Sequence, residues 1–143
     1  MDIASVFSAS ALEDVYRQLC PHKRLTLEGY AWGVYAIEGD VIAMIYIDYV
    51  HEKPAYEITR NVHLAIRTER CDYFVVLELL KRVIQMVDNY DAIENLLAIV
   101  DHNHDLFVAA LCAVGFIDLG SLGCVMGDEL AATEALLYYY RKD

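Results

Sequence analysis

The sequence predicts an α/β protein, and three stretches carry the prediction. The first is Glu94 to Leu119, ENLLAIVDHNHDLFVAALCAVGFIDL. Its apolar run Leu96–Val100 stops at the polar Asp101-His102-Asn103-His104-Asp105, and an apolar segment Leu106–Val114 follows. Gly115 then closes that segment, and Phe116 opens another apolar run. This reads as strand, turn, helix, glycine stop and strand. A short uninterrupted apolar run fits a strand covered on both faces, and glycine suits the left-handed position past a helix end. The second stretch is Tyr73 to about Val87, where Val76, Leu79, Leu80, Val83 and Val87 make one stripe and Glu78, Lys81, Arg82 and Gln85 the opposite one. The third is Ala31 to Val50, two apolar runs around Gly39-Asp40. Glycine first in a two-residue loop predicts a hairpin with a type II′ turn.

The remaining elements fall into order around these. Ser10-Ala11-Leu12-Glu13 has capping-box spacing, and Leu12, Val15, Tyr16 and Leu19 share a face, so a first helix runs up to Pro21. Leu25 to Tyr30 is linker, and His51 to Pro54 is a loop. In Tyr56–Ile66, alternation puts Glu57, Thr59, Asn61 and His63 on one face and Tyr56, Ile58, Val62, Leu64 and Ile66 on the other, with Arg60 the exception. Asp72 is placed to cap the long helix, and Asp88-Asn89-Tyr90-Asp91 is its exit turn. Cys124-Val125-Met126, a polar turn and a final strand, Ala135–Tyr140, end the chain. The predicted order is helix, hairpin, strand, helix, strand, helix, strand, strand. The early strands pair antiparallel, and the middle strand-helix-strand makes a right-handed crossover with one central parallel pair. A single domain over residues 1–143 results, with a mixed, mostly antiparallel sheet and helices on both faces.

Composition excludes several classes. Hydrophobic residues are 57% and charged residues 23% of 143, enough to bury a core. No apolar run reaches the ~18 residues of a membrane helix, and Met1-Asp2-Ile3 lacks a signal peptide's basic start. The expectation is a soluble intracellular protein with no membrane partner. The net charge is -11, from 11 basic and 22 acidic residues, which argues against nucleic acid. The four cysteines, Cys20, Cys71, Cys112 and Cys124, form no CxxC pair and are expected reduced, with Cys112 a small hydrophobe inside its helix. Eleven tyrosines and abundant apolar residues point to a protein partner or a second copy of the chain.

The order and lengths of these elements resemble the GNAT fold of N-acetyltransferases, over nearly the whole chain and most clearly from Ala31 to Tyr140. Val100 to Phe116 carries most of the resemblance. Family members have a strand ending near an asparagine, then a helix, then Gly-Phe, which here are Asn103 and Gly115-Phe116. Tyr56-Glu57-Ile58 and the residues after it resemble the family's central strand, and the helix from Tyr73 resembles the one that receives the cofactor phosphates.

The chemical parts depart from the family's pattern. The resemblance implies an Arg/Gln-x-x-Gly-x-Gly/Ala loop for the acetyl-CoA pyrophosphate, where glycines let backbone N–H groups reach the anion at a helix N-terminus. Here the run is Arg67-Thr68-Glu69-Arg70-Cys71-Asp72-Tyr73-Phe74-Val75, with Tyr73 and Val75 in the glycine positions and no glycine between Gly39 and Gly115. Glu69 and Asp72 add carboxylates, each opposing an anion by about 1 kcal/mol, which Arg67 and Arg70 offset in part. Leu111 stands where many members have a tyrosine that protonates the leaving thiolate. Asn103 lies one residue farther from Gly115 than usual, with His104 at the expected place. These departures resemble small phage-encoded GNAT-like proteins, some of them associated with virion or head assembly. The closing Leu137-Tyr138-Tyr139-Tyr140-Arg141-Lys142-Asp143 is similar to the ends of those chains.

The resemblance therefore implies one of two functions. The expected one is a non-catalytic module for protein binding and virion assembly in a phage particle, with a degenerate CoA site, no cofactor and virion proteins or itself as partner. It would reside in the host cytoplasm or in the particle. The alternative is an active acetyl-CoA-dependent N-acetyltransferase. It would use Glu57 as general base, or His63 as a proton relay, and would hold the cofactor through backbone groups of Leu64, Ala65 and Ile66 together with Arg67, Arg70 and Asn103. Each residue also has a plain reading. Glu57 and His63 can belong to a solvated face, and Asn103 or Asp105 can cap the following helix. Asp101 to Asp105 is too short a loop to fold three or four metal ligands inward, so no metal is expected. The Tyr138–Tyr140 run reads as an edge strand with alternate rings in and out, or as a dimer contact.

Overall fold

The computed structural model describes residues 1–27, 31–49, 59–67, 70–90, 95–101, 104–121 and 135–141. Seven strands form one sheet in the order β1-β2-β3-β4-β5-β7-β6. The elements are β1 (Asp2–Val6), α1 (Ala9–Leu19), β2 (Trp32–Glu38), β3 (Asp40–Tyr49), β4 (Thr59–Ile66), α2 (Tyr73–Tyr90), β5 (Asn95–Asp101), α3 (Asp105–Ala113), β6 (Ile117–Ser121) and β7 (Ala135–Arg141). Five of the six neighbouring pairs are antiparallel, and β4 with β5 is parallel.

Two cores lie on opposite faces of the sheet. Under α2 and α3 pack Val34, Ile45, Ile47, Val62, Leu96 and Ala98 from the strands, against Val76, Leu79, Leu80, Val83, Phe107 and Leu111 from the helices. Under α1 a smaller core joins Leu12 and Val15 to Val41, Met44 and Ala65. Alternation along β4 explains the division: Val62 faces α2 while Ala65 faces α1. The stripe on α2 is as its spacing predicts, with Val76, Leu79, Leu80, Val83 and Val87 all buried.

Several local expectations are corrected. The N-terminal residues form β1, an added strand pairing with β2; five residues at a sheet edge carry too little alternation to announce it. The N-cap of α1 is Ser8, whose Oγ accepts the Ala11 amide at 3.2 Å, so the helix starts before the Ser10–Glu13 box. Helix α2 runs through Asp88 and Asn89 to Tyr90, since no glycine or proline stops it. His104 occupies the N-cap of α3 without a side-chain hydrogen bond, and Asp105 lies in the first turn. Cys112 is exposed, because the outer side of α3 carries small residues and no covering element among the described residues.

The β2–β3 hairpin is tighter than its sequence suggests. Glu38 stands opposite Asp40, leaving Gly39 alone in the turn at φ 79°. A bulge restores the register: Ala36 pairs with Ala43 but Ile37 with Val41, so Ile42 is the extra residue. The bulge also reverses the side-chain parity. Val41 and Met44 serve the α1 core, while Ile42 and Ala43 serve the α2 core. Gly115 has φ 104°, as the helix stop requires, and Phe116 N–H donates to Leu111 O at 3.0 Å to close the end of α3.

Gly33 sets how closely α1 approaches the sheet. A Cβ there would lie 2.7 Å from Ile45 O and 2.9 Å from Leu12 Cδ2. Gly33→Ala should therefore lower stability by about 1–3 kcal/mol, the usual cost of overpacking. Urea denaturation checks this; an unchanged midpoint would contradict the close seating of α1.

Candidate functional site

The parallel ladder between β4 and β5 is short. It covers Thr59–Asn95, Arg60–Leu96 and Asn61–Leu97, after which β4 continues to Ile66 and β5 to Asp101 without pairing to each other. The two strands part there and form a fork. On its other side β4 stays fully paired, with Leu64, Ala65 and Ile66 opposite Ile45, Met44 and Ala43. The β5-facing backbone edge of Leu64 to Ile66 thus has no strand partner among the described residues. These are the groups proposed from the sequence as backbone contacts.

Beyond the fork, the chain turns into α2 through residues that bind one another. Arg67 N–H donates to the bulge carbonyl of Ile42 at 2.8 Å, and the Arg70 and Cys71 amides both donate to Arg67 O at 3.0 Å. Asp72 Oδ1 accepts the Val75 amide at 3.1 Å, the capping role predicted for it. The arginines reach back to other elements. Arg67 Nη2 donates to Gln18 O on α1 at 2.9 Å, and its buried Nε has no hydrogen-bond partner. Arg70 donates through Nη2 to Glu38 O and through Nη1 to Asp40 Oδ2 at 3.4 Å, both on the hairpin. At the glycine positions, Val75 is buried in the α2 core and Tyr73 packs half-buried against it. Phe74 is 70% exposed and does not fill the fork.

A second constellation lies on the α1 face. Asp48, only 4% exposed, is hydrogen-bonded through Oδ1 to His63 Nε2 at 2.9 Å. With Asp48 as a carboxylate, Nε2–H is the donor and Nδ1 keeps its lone pair. The His63 ring stacks on Tyr46 at 4.7 Å and 20°, and Tyr46 meets Tyr16 edge to face at 6.2 Å. Burial, then Tyr16, then Asp48 push the Tyr46 hydroxyl well above its ordinary range, so it stays protonated. His63 lies two residues past the last parallel pair, Asn61–Leu97, and so stands at the fork. The sequence reading found His63 and missed Asp48. The available signal was an acid inside the apolar strand AMIYIDYV, two residues after Tyr46, the residue opposite His63.

Other sequence candidates fall elsewhere. Glu57 and Asn103 lie outside the described residues, as does His102. Leu111 is fully buried in the α2 core. His104 sits edge to face with Phe107 at 5.9 Å. Among the described residues no three His, Cys, Asp or Glu side chains are grouped to hold a metal. No described helix is long and apolar enough to cross a membrane.

The cysteines differ in reactivity. Cys71 is buried, and burial, reinforced by Asp72, pushes its thiol from 9.0 to about 11. Cys112 is exposed. At about pH 8 a disulfide reagent should therefore modify Cys112 in the folded protein and leave Cys71 until the chain unfolds, as read by mass spectrometry. The same shift fixes a pH dependence. A thiol whose folded value is raised contributes stability in full below its unfolded value of 9.0 and loses it as pH climbs toward 11. The raised Tyr46 and Tyr16 hydroxyls act with the same sign at higher pH. Denaturation midpoints should fall above about pH 9, and less steeply in Cys71→Ala.

No protein-family profile and no curated protein matches the sequence. Solved structures do match in three dimensions. The ribosomal-protein-alanine N-acetyltransferase of Brucella melitensis superposes with a TM-score of 0.71 at 14% identity, covering 99% of this chain and 100% of that one. A GNAT-family acetyltransferase of Streptococcus pneumoniae gives 0.67 at 11%, covering 99% and 100%. An N-acetyltransferase of Staphylococcus aureus Mu50 gives 0.65 at 16%, covering 99% and 98%. Likeness at such low identity establishes architecture, and the chain has the α/β fold of the GNAT acetyltransferases.

Proposed function

We propose that this chain is a GNAT-fold protein whose acetyl-CoA pyrophosphate loop is degenerate, and that it works as a non-catalytic protein-binding module in the assembly of a phage particle. Its partners are then particle proteins or a second copy, it needs no cofactor, and it resides in the host cytoplasm or the particle. The observation that carries this reading is where Arg67 and Arg70 point. Each guanidinium donates to a carbonyl of the chain itself, Arg67 to Gln18 O and Arg70 to Glu38 O. Asp72 meanwhile occupies the Val75 amide that a phosphate would otherwise accept. Side chains at Tyr73 and Val75 stand where a phosphate needs bare backbone. In this reading the residues do not fit the cofactor. Isothermal calorimetry with CoA and acetyl-CoA is the test. Silence at millimolar ligand is expected, and micromolar binding would retire the proposal. Co-purification with particle proteins is the second expected outcome, and a lone monomer absent from any particle counts against it.

A second reading, an N-acetyltransferase with an atypical cofactor site, rests on the Asp48–His63 pair at the fork. There His63 Nδ1 would take a proton from an acceptor ammonium, and Asp48 would hold the ring in place. Glu57 is the other base this reading allows, and Leu64, Ala65, Ile66, Arg67, Arg70 and Asn103 its cofactor contacts. A protein α-amino group is the acceptor suggested by the ribosomal-protein-alanine enzyme of the same fold. If this reading holds, His63→Ala lowers turnover of an amine acceptor by about 100-fold or more. A wild-type chain that turns over no amine acceptor ends this reading.

A further inference from the structure

We propose that the cleft at the C-terminal end of α1 is an anion site, built for a small phosphate ester, in which Arg17, His22, Lys23 and Arg24 hold the phosphate. The cleft measures about 410 Å³, and Glu13, Tyr16, Pro21 and Leu25 line it along with those four side chains. That volume suits a small ligand rather than a folded partner.

Charge is the first argument. The whole chain carries -11, yet Arg17 to Arg24 (RQLCPHKR) holds three of its 11 Lys and Arg, one of its five His and no acid. The local field is thus opposite in sign to that of the molecule. The negative end of the α1 dipole explains one cation in the last turn, Arg17. It does not explain His22, Lys23 and Arg24, which follow the helix. Two carbonyls of the helix end are already engaged. Tyr16 O accepts the Cys20 amide at 2.8 Å, and Gln18 O accepts Arg67 Nη2 at 2.9 Å.

The second argument is donor geometry. Several cations around one concavity match a multiply charged oxyanion better than a single carboxylate. The half-buried Tyr16 brings a hydroxyl donor to the wall. Glu13, the acidic side chain of the wall, suits a hydroxyl on the ligand's non-phosphate part. The site is separate from the start of α2, so it stands whether or not the cofactor loop is degenerate.

The test uses inorganic pyrophosphate as the probe, titrated into the isotope-labelled full chain and followed by amide chemical shifts. We expect shifts at Arg17 and from His22 to Arg24, with binding that weakens as ionic strength rises. The double variant Lys23→Glu/Arg24→Glu, at two exposed positions, should lose about tenfold or more in affinity. Arg82→Ala, on the exposed side of α2, should bind as wild type. Absence of shifts at millimolar pyrophosphate, or an unchanged affinity in the double variant, overturns the proposal. So do shifts confined to Tyr73–Val75, which would instead revive the cofactor loop. Tighter binding there of an acidic peptide would overturn the assignment to a small phosphate ester.

Discussion

The early parting of β4 from β5 is the constraint on which the other features depend. Parallel strands need a crossover, and α2 supplies it, lying on the face opposite α1. The ladder ends at Asn61–Leu97, so among the described residues the last part of β4 has a strand partner only on the β3 side. Something else must fix the end of β4 where α2 begins. The bulge at Ile42 does so, because it turns a carbonyl to the Arg67 amide. A hairpin irregularity thus steadies a connection far along the chain.

The two arginines of that connection act as clasps. Arg67 fastens it to the end of α1, and Arg70 fastens it to the β2–β3 turn. A guanidinium that donates to carbonyls keeps its charge but loses part of the fork with which it would grip a phosphate. The same residues that the family resemblance marks as cofactor contacts therefore bind the sheet and the helix of their own chain. Asp72 follows the same logic by capping α2 from within.

Polar chemistry gathers instead on the α1 face. Asp48 is a buried acid on a central strand, and its cost is met by the His63 imidazole at 2.9 Å. Tyr46 and Tyr16 continue the column of polar aromatics toward the basic cleft, since Tyr16 also lines it. Three of the 11 Lys and Arg of this acidic molecule stand at that one helix end without an intervening acid, which gives anions a local target.

Much of this was legible in the residues. The 3.6 period of Val76 to Val87, the alternation of β4 and the glycine stop at Gly115 are short-range signals, and each led to the right element. Such signals fix which face of an element is apolar, because burial follows local periodicity. The edge strand β1, the bulge at Ile42 and the length of α2 escaped, since pairing and packing decide them. The site divided in the same way: His63 was visible as a titratable residue on a strand face, but its partner Asp48 is 15 positions away and was not. Arg67 meets Gln18 across 49 positions, and Arg70 meets Glu38 across 32. By itself the sequence determined every element except β1, the apolar faces of those elements and the layered class. Only the tertiary structure decided where the charged side chains end, because a hydrogen-bond partner so distant in the chain exists only after the layers have closed.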